Sequence, residues 1–276
     1  MLKYPELDPV AFSLGPLTVH WYGLMYLAGF VAAWTLATHR AGKDWTPLKK
    51  NHVDDLIVWA AIGVIVGGRF GYVFFYQFER FLEDPAWLFR VWEGGMSFHG
   101  GLIGVIVAMA LYARKLKIHF LALMDFVAPM VPPGLGFGRL GNFIGQELWG
   151  RETTSEWGMI FPKDPEEKIR HASQLYQAAL EGLLLFIILF LYSRKPRPTG
   201  TVGSLFLICY GSFRFIVEFY REPDSHIGFD MLGWMTRGQL LSIPMIVIGV
   251  ALFVYFNLKG IPKSQEKSSD SVNIKS

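Results

Sequence analysis

The chain carries one cysteine in 276 residues, Cys209. That excludes an internal disulfide framework and a cysteine-based metal site. The thiol sits in an apolar run, where it serves as packing. Charge is also scarce, at 18% of residues, whereas a soluble domain usually carries about a quarter. Several catalytic signatures are missing: there is no P-loop, no Gly-x-Ser-x-Gly, no His-Glu-x-x-His and no Cys/His ligand spacing. No internal repeat is present, which argues against a transporter built from inverted halves. The basic residues are scattered, so nucleic acid is not an expected partner.

Hydrophobic residues make up 52% of the chain, with 9 Trp, 11 Tyr and 23 Phe. This is the composition of a polytopic membrane protein with aromatic side chains at both interfaces. Apolar stretches at 18–38, 53–76, 97–115, 119–138, 173–192, 201–220 and 237–257 approach or exceed the roughly 20 residues that span a bilayer. The expected fold is therefore an all-α integral membrane protein with about seven transmembrane helices. The first stretch has no basic cluster before it and no small-residue cleavage site, so it is expected to be retained.

Dense basic loops surround Arg40, Lys43, Lys49 and Lys50, then Arg114, Lys115 and Lys117, then Arg194, Lys195 and Arg197. They predict the cytoplasmic side, with the N-terminus outside and the C-terminus inside. Residues 77–96 mix aromatics and charges around Pro85 and predict a broken interfacial helix. Residues 139–172 predict a small external cap. The expected organisation is one transmembrane catalytic domain over 1–258, followed by a Lys- and Ser-rich disordered tail at 259–276. Pro129, Pro132, Pro133 and the glycines after them are expected to kink or break the fourth span near the outer surface.

The run Gly134 to Gly150 places Arg139, Asn142, Gln146 and Glu147 directly after an apolar segment. On a helix, Arg139, Asn142 and Gln146 would share one face, and Gly134, Gly138, Gly141 and Gly145 the other. Arg214 lies within the sixth span, where burial costs about 2.5–3.5 kcal/mol and demands a partner or a cavity. Tyr210, Arg214 and Glu218 follow at i, i+4 and i+8. Two readings stand side by side: a structural Arg214–Glu218 ion pair, or a cation facing an anionic ligand with Glu218 and Tyr210 fixing its rotamer. Arg69, mid-span in the second helix, is either paired to an acid or a second ligand cation. His99, between glycine pairs, is either a hydrogen-bonded core residue or the chain's most natural general base. Tyr22 is an interface anchor or a headgroup contact. Asp54 and Asp55 enter a helix where acids suit its dipole. Arginine matches phosphate with two parallel hydrogen bonds, so an anionic phospholipid is the ligand this set predicts.

The run Gly138-Arg139-Leu140-Gly141-Asn142-Phe143-Ile144-Gly145-Gln146-Glu147-Leu148-Trp149-Gly150 resembles the motif G-R-x-G-N-F-x-N-x-E-x-x-G of phosphatidylglycerol–prolipoprotein diacylglyceryl transferases. HWYGLMY at 20–26, EGGMSFHGG at 93–101, SQLYQ at 173–177 and YGSFRFIVEF at 210–219 are similar to further blocks of that family, and the likeness runs from about residue 5 to 258. It departs at Gly145, which replaces an asparagine, at Ala172, which replaces a proline, and at Gln177, where glutamate is common. Gln146 is expected to supply the amide that Gly145 lacks.

The resemblance implies transfer of a diacylglyceryl group from phosphatidylglycerol to the lipobox cysteine of a prolipoprotein in the bacterial inner membrane, at its outer leaflet. It implies a thioether product, glycerol phosphate as the other product, and no metal or cofactor. The implied roles are phosphate binding by Arg139, oriented by Asn142 and Glu147, and charge stabilisation by Arg214, held by Glu218 and Tyr210. His99 would remove the thiol proton, and Tyr22 would hydrogen-bond headgroup or peptide. The rival expectation is a non-catalytic anionic-lipid transporter or flippase, which would release no glycerol phosphate.

Overall fold

The computed structural model describes residues 2–5, 7–15, 17–223, 229–231 and 235–260. Long helices stand at all seven expected positions. They are α1 (Trp21–Arg40), α2 (Val53–Tyr76), α3 (Phe98–Leu116), α4 (Phe120–Gly145), α5 (Ser173–Tyr192), α6 (Thr201–Val217) and α7 (Arg237–Lys259). Among the described residues, five are long and apolar enough to cross a membrane: α3, α4, α5, α7 and the helical segment Lys50–Tyr76 that contains α2. Helix α6 is apolar but shorter. The tail expected to be disordered lies, beyond Gly260, outside the described residues.

Contacts divide the chain into two compact units, one of Ala37–Met124 and one of Met1–Leu36 with Asp125–Ser276. The first is built on α2 and α3. Gly63, Gly67 and Gly71 on α2 meet Gly100, Gly104 and Ala108 on α3, small residues every fourth position on both helices. A Cβ on Gly63 would come within 2.8 Å of the Gly104 carbonyl oxygen, and one on Gly71 within 2.7 Å of the Gly100 Cα. Lipid tails give apolar helices little reason to associate, so backbone-to-backbone closeness supplies the attraction.

Arg69 rises from this helix pair and is 2% exposed. Neither sequence reading of it holds. Its guanidinium binds no acid among the described residues; it donates from Nε to the Leu88 carbonyl at 2.9 Å, from Nη2 to that of Trp87 at 2.5 Å and from Nη1 to that of Gly94 at 2.5 Å. It also lies over the Trp87 ring, 4.4 Å from its centroid. Arg69 thus fastens the segment after α2, whose expected broken helix consists of Phe78–Glu83 and the 3-10 turns Pro85–Phe89 and Val91–Glu93. Glu93 draws the same segment together, accepting from Trp87 Nε1 at 2.8 Å and from Arg80 at 3.0 Å.

The fourth span does not show the expected break. It is helical from Phe120 to Gly145, with one 3-10 turn at Ala128–Met130. Pro132 and Pro133 fall in the first turn after it, where an N–H would have no intrahelical partner and the fixed proline φ fits. The expected break is thus a tightened turn, and Arg139 and Asn142 stand on helix. Asp125, near the start of α4, accepts from the backbone N–H groups of Gly200 at 2.5 Å and Gly203 at 2.8 Å. It thereby caps the N-terminus of α6.

The polar region after α4 carries a small sheet, with Met159–Ile160 between Leu2–Lys3 and Ile169–Arg170. Asp164 is buried there and accepts from Arg170 Nε at 2.5 Å. Burial pushes the Asp164 carboxyl up, but the Arg170 guanidinium and the backbone N–H groups of Glu166 and Lys168 outweigh it and hold it below the usual carboxylate range.

Candidate active site

Glycines bring the site helices together. Gly136 on α4 meets Gly182 on α5, where a Cβ on Gly182 would lie 2.7 Å from the Gly136 Cα. The α5 segment Ala178–Leu184 is a π-helix, a wider i→i+5 turn. Gly134 and Gly138 are two of the four glycines expected on the face opposite Arg139. Added Cβ atoms there would meet nothing within 4 Å, although the Gly134 backbone itself backs onto Gly29. Gly141 does press against a neighbour, the Tyr22 ring.

Arg214 on α6 carries the densest set of partners. Its Nη1 donates to the Gln177 amide oxygen at 3.1 Å and stands 3.8 Å from Glu181 Oε1. Its Nη2 is paired with Glu218 Oε1. The expected Arg214–Glu218 ion pair is therefore present, but it belongs to a larger cluster. Arg221 approaches the same Glu218 oxygen at 3.5 Å, and Arg151 donates to the Glu218 carbonyl at 3.1 Å. The Thr236 hydroxyl donates to Glu218 Oε2 at 2.7 Å. That hydroxyl also accepts from the Gln239 backbone N–H as the N-cap of α7, so Glu218 sits at the positive end of a helix. Gly238 leaves room for it: a Cβ there would lie 2.6 Å from the Glu218 Cδ.

Arg139 on α4 lies in electrostatic reach of Glu181, Arg214, Tyr210 and Arg221. The sequence candidates Arg139, Arg214, Tyr210 and Glu218 are thus brought together. Three arginines (139, 214 and 221) lie in electrostatic reach of the Glu181 carboxylate, with Glu218 beside them.

Other candidates fall differently. Tyr22 is 44% exposed, with its hydroxyl 3.1 Å from that of Tyr26, and it lies in reach of Glu147 and Arg139. Asn142 is buried, and its carbonyl accepts from the Glu147 N–H at 2.9 Å. Glu147 is exposed, and its carbonyl accepts from Gln174 Nε2 at 2.7 Å. Gln146 does not share the Arg139 face. It is the left-handed C-cap of α4 at φ 56°, and its amide oxygen accepts from the Lys163 N–H at 2.9 Å, so it ties the helix end to the polar region. His99 belongs to the Ala37–Met124 unit, exposed in the first turn of α3 with its ring edge-on to Phe98.

Sequence reasoning missed Glu181 and the contact made by Gln177. Glu181 had a signal: an acid inside the apolar run LYQAALEGLLLF is costly enough to demand a purpose. Among the described residues, no group of three or more His, Cys, Asp or Glu could hold a metal ion.

Fold and site together define a helical membrane protein with a cluster of arginines around two buried carboxylates. The family described as prolipoprotein diacylglyceryl transferase matches residues 9–255, and the chain belongs to that family. A protein of Teredinibacter turnerae named phosphatidylglycerol–prolipoprotein diacylglyceryl transferase is 66% identical over 265 residues, covering 92% of each chain. Proteins of the same name are similar in Ectopseudomonas mendocina, 56% identical with 92% of this chain and 96% of the other covered, and in Acinetobacter baylyi, 56% identical with 92% and 94% covered.

Proposed function

We propose that this protein transfers the diacylglyceryl group of phosphatidylglycerol to the lipobox cysteine of a prolipoprotein, forming a thioether and releasing glycerol phosphate. The observation that carries the reading is the cluster of Arg139 and Arg214 around buried carboxylates in a chain of this family. The thiolate sulfur attacks the glycerol carbon that bears the phosphate. The C–S bond forms, the C–O bond breaks, and its electron pair leaves on the phosphate oxygen. Arg139 and Arg214 bind the phosphate and stabilise the charge that grows on it. Glu218, fixed by Thr236, and Tyr210 hold Arg214 in place. Asn142 and Glu147 support the Arg139 end of the site, and Tyr22 contributes a hydroxyl to headgroup or peptide.

A free thiol has a pKa of about 8.5, so a base is needed near neutrality. His99 is assigned that role. His99→Asn is expected to slow transfer by about 10²-fold or more and to alter its pH profile; an unaltered profile would leave His99 as a packing residue. The dense basic loops support a seven-span arrangement with N-terminus outside and C-terminus cytoplasmic. The same arrangement puts the site towards the outer leaflet of the bacterial inner membrane.

The test uses purified protein in detergent with phosphatidylglycerol and a synthetic lipobox peptide, following peptide mass and glycerol phosphate together. The expected result is a diacylglyceryl mass gain on the cysteine, absent from a peptide with serine there. Intact lipid and unmodified peptide, from folded protein, would favour a lipid transporter instead.

A further inference from the structure

Glu181 is fully buried, yet among the described residues neither of its carboxylate oxygens finds a hydrogen-bond donor. The Arg214 Nη1 stands 3.8 Å away, beyond the roughly 2.7–2.9 Å of a charge-assisted hydrogen bond. Glu218 is the contrast in the same cluster, held by a threonine hydroxyl, by two arginines and by the start of α7. A buried carboxylate without hydrogen bonds stays ionised only through the cations around it. Those cations are Arg139 from α4, Arg214 from α6 and Arg221 just beyond it, with Glu218 and Tyr210 completing the charged and titratable surroundings. The same guanidinium groups are the ones an incoming phosphate must recruit.

We propose that Glu181 is the internal counter-ion of the phosphate site. It shares its negative charge between Arg139 and Arg214 while the site is empty, and it takes up a proton when a lipid phosphate draws those arginines to itself. The inference rests on the transferase reading and adds to it a positioning residue, one that acts through the arginines without touching substrate. The charge balances: one phosphodiester anion and one proton enter together, and the proton is released when the phosphate departs. A site so built avoids two uncompensated guanidinium groups in an apolar interior, and it avoids gripping the product too tightly.

The linkage has a definite sign. A proton taken up together with the lipid means that protonation favours binding. Affinity therefore falls as pH rises, by up to about tenfold for each unit where that proton is exchanged. The test is binding of phosphatidylglycerol to the full chain in non-ionic detergent between about pH 5 and pH 9, with calorimetry in buffers of different ionisation enthalpy to count protons. Wild type is expected to take up close to one proton somewhere in that range. Glu181→Gln is expected to bind on the order of tenfold tighter, with no pH slope, and to turn over more slowly, so that KM and kcat fall together. A purely structural defect would raise KM instead. Glu181→Asp is expected to keep the slope.

Binding by wild type without proton uptake would overturn the role of Glu181 and leave the transferase reading standing, as would an undiminished slope in Glu181→Gln. If that variant does not fold, the wild-type proton count decides alone. Absence of phosphatidylglycerol binding by folded wild type would remove the transferase reading as well.

Discussion

Replacing Arg214 with alanine is expected to reduce diacylglyceryl transfer by on the order of 10³-fold, because the groups that stabilise a departing charge dominate such a reaction. Lysine at the same position is expected to restore little of it. The native side chain serves Gln177, Glu181 and Glu218 with one planar fork while one edge remains 16% exposed for a ligand. An ammonium is a compact point charge and reproduces neither the fork nor the two parallel bonds to phosphate. The alanine variant also strands Glu181 and Glu218, which are 0% and 1% exposed. Removing one partner from a buried ion cluster costs about 3–5 kcal/mol, so some loss of stability accompanies it. The measurement is turnover per folded molecule, with thermal unfolding in detergent as the control. Full activity in Arg214→Lys would mean that charge alone suffices, and the phosphate-fork assignment would be lost.

Arg69→Met is expected to fail in a different way. Arg69 is as deep in its helix as Arg214, but its donors are spent on the backbone carbonyls of Trp87, Leu88 and Gly94. Hydrogen bonds from a charged group are worth about 1.5–3 kcal/mol each, and acceptors left buried and unpaired add to the loss. A destabilisation on the order of 3–5 kcal/mol is expected, partly relieved as the interfacial segment frays and admits water. It appears as a lowered unfolding midpoint and as faster hydrogen exchange across residues 78–95. Phosphatidylglycerol binding per folded molecule should be unchanged. An unaltered midpoint would show that the carbonyl contacts contribute nothing net, and a selective loss of lipid binding would return Arg69 to the list of ligand cations.

The contrast between these two arginines marks the limit of what sequence carries. Both were visible as costly charges in apolar helices, and both were predicted to need partners. What the partners are depends on which helix lies alongside, and no local pattern encodes that. Arg69 finds carbonyls because the segment after α2 folds back in 3-10 turns and presents them. Arg214 finds Glu218 one turn further along its own chain, but it finds Glu181 only because α5 lies beside α6. Gln146 shows the same limit at closer range. Helical spacing put it on the Arg139 face, but the helix ends one residue earlier, and a left-handed φ of 56° turns it towards Lys163.

The sequence by itself determined the membrane class, the positions of the long helices, the broken helix after α2 and the family to which the motif around Arg139 points. These follow from apolar run length and from contiguous residues, both local properties that the bilayer or a motif reads directly. The tertiary structure alone decided that α4 continues through its prolines, that Arg69 is a clamp on carbonyls, and that Glu181 stands buried without hydrogen bonds among the arginines. The last two are settled by pairings between residues far apart in the chain, where the low dielectric makes a partner obligatory but leaves its identity to packing.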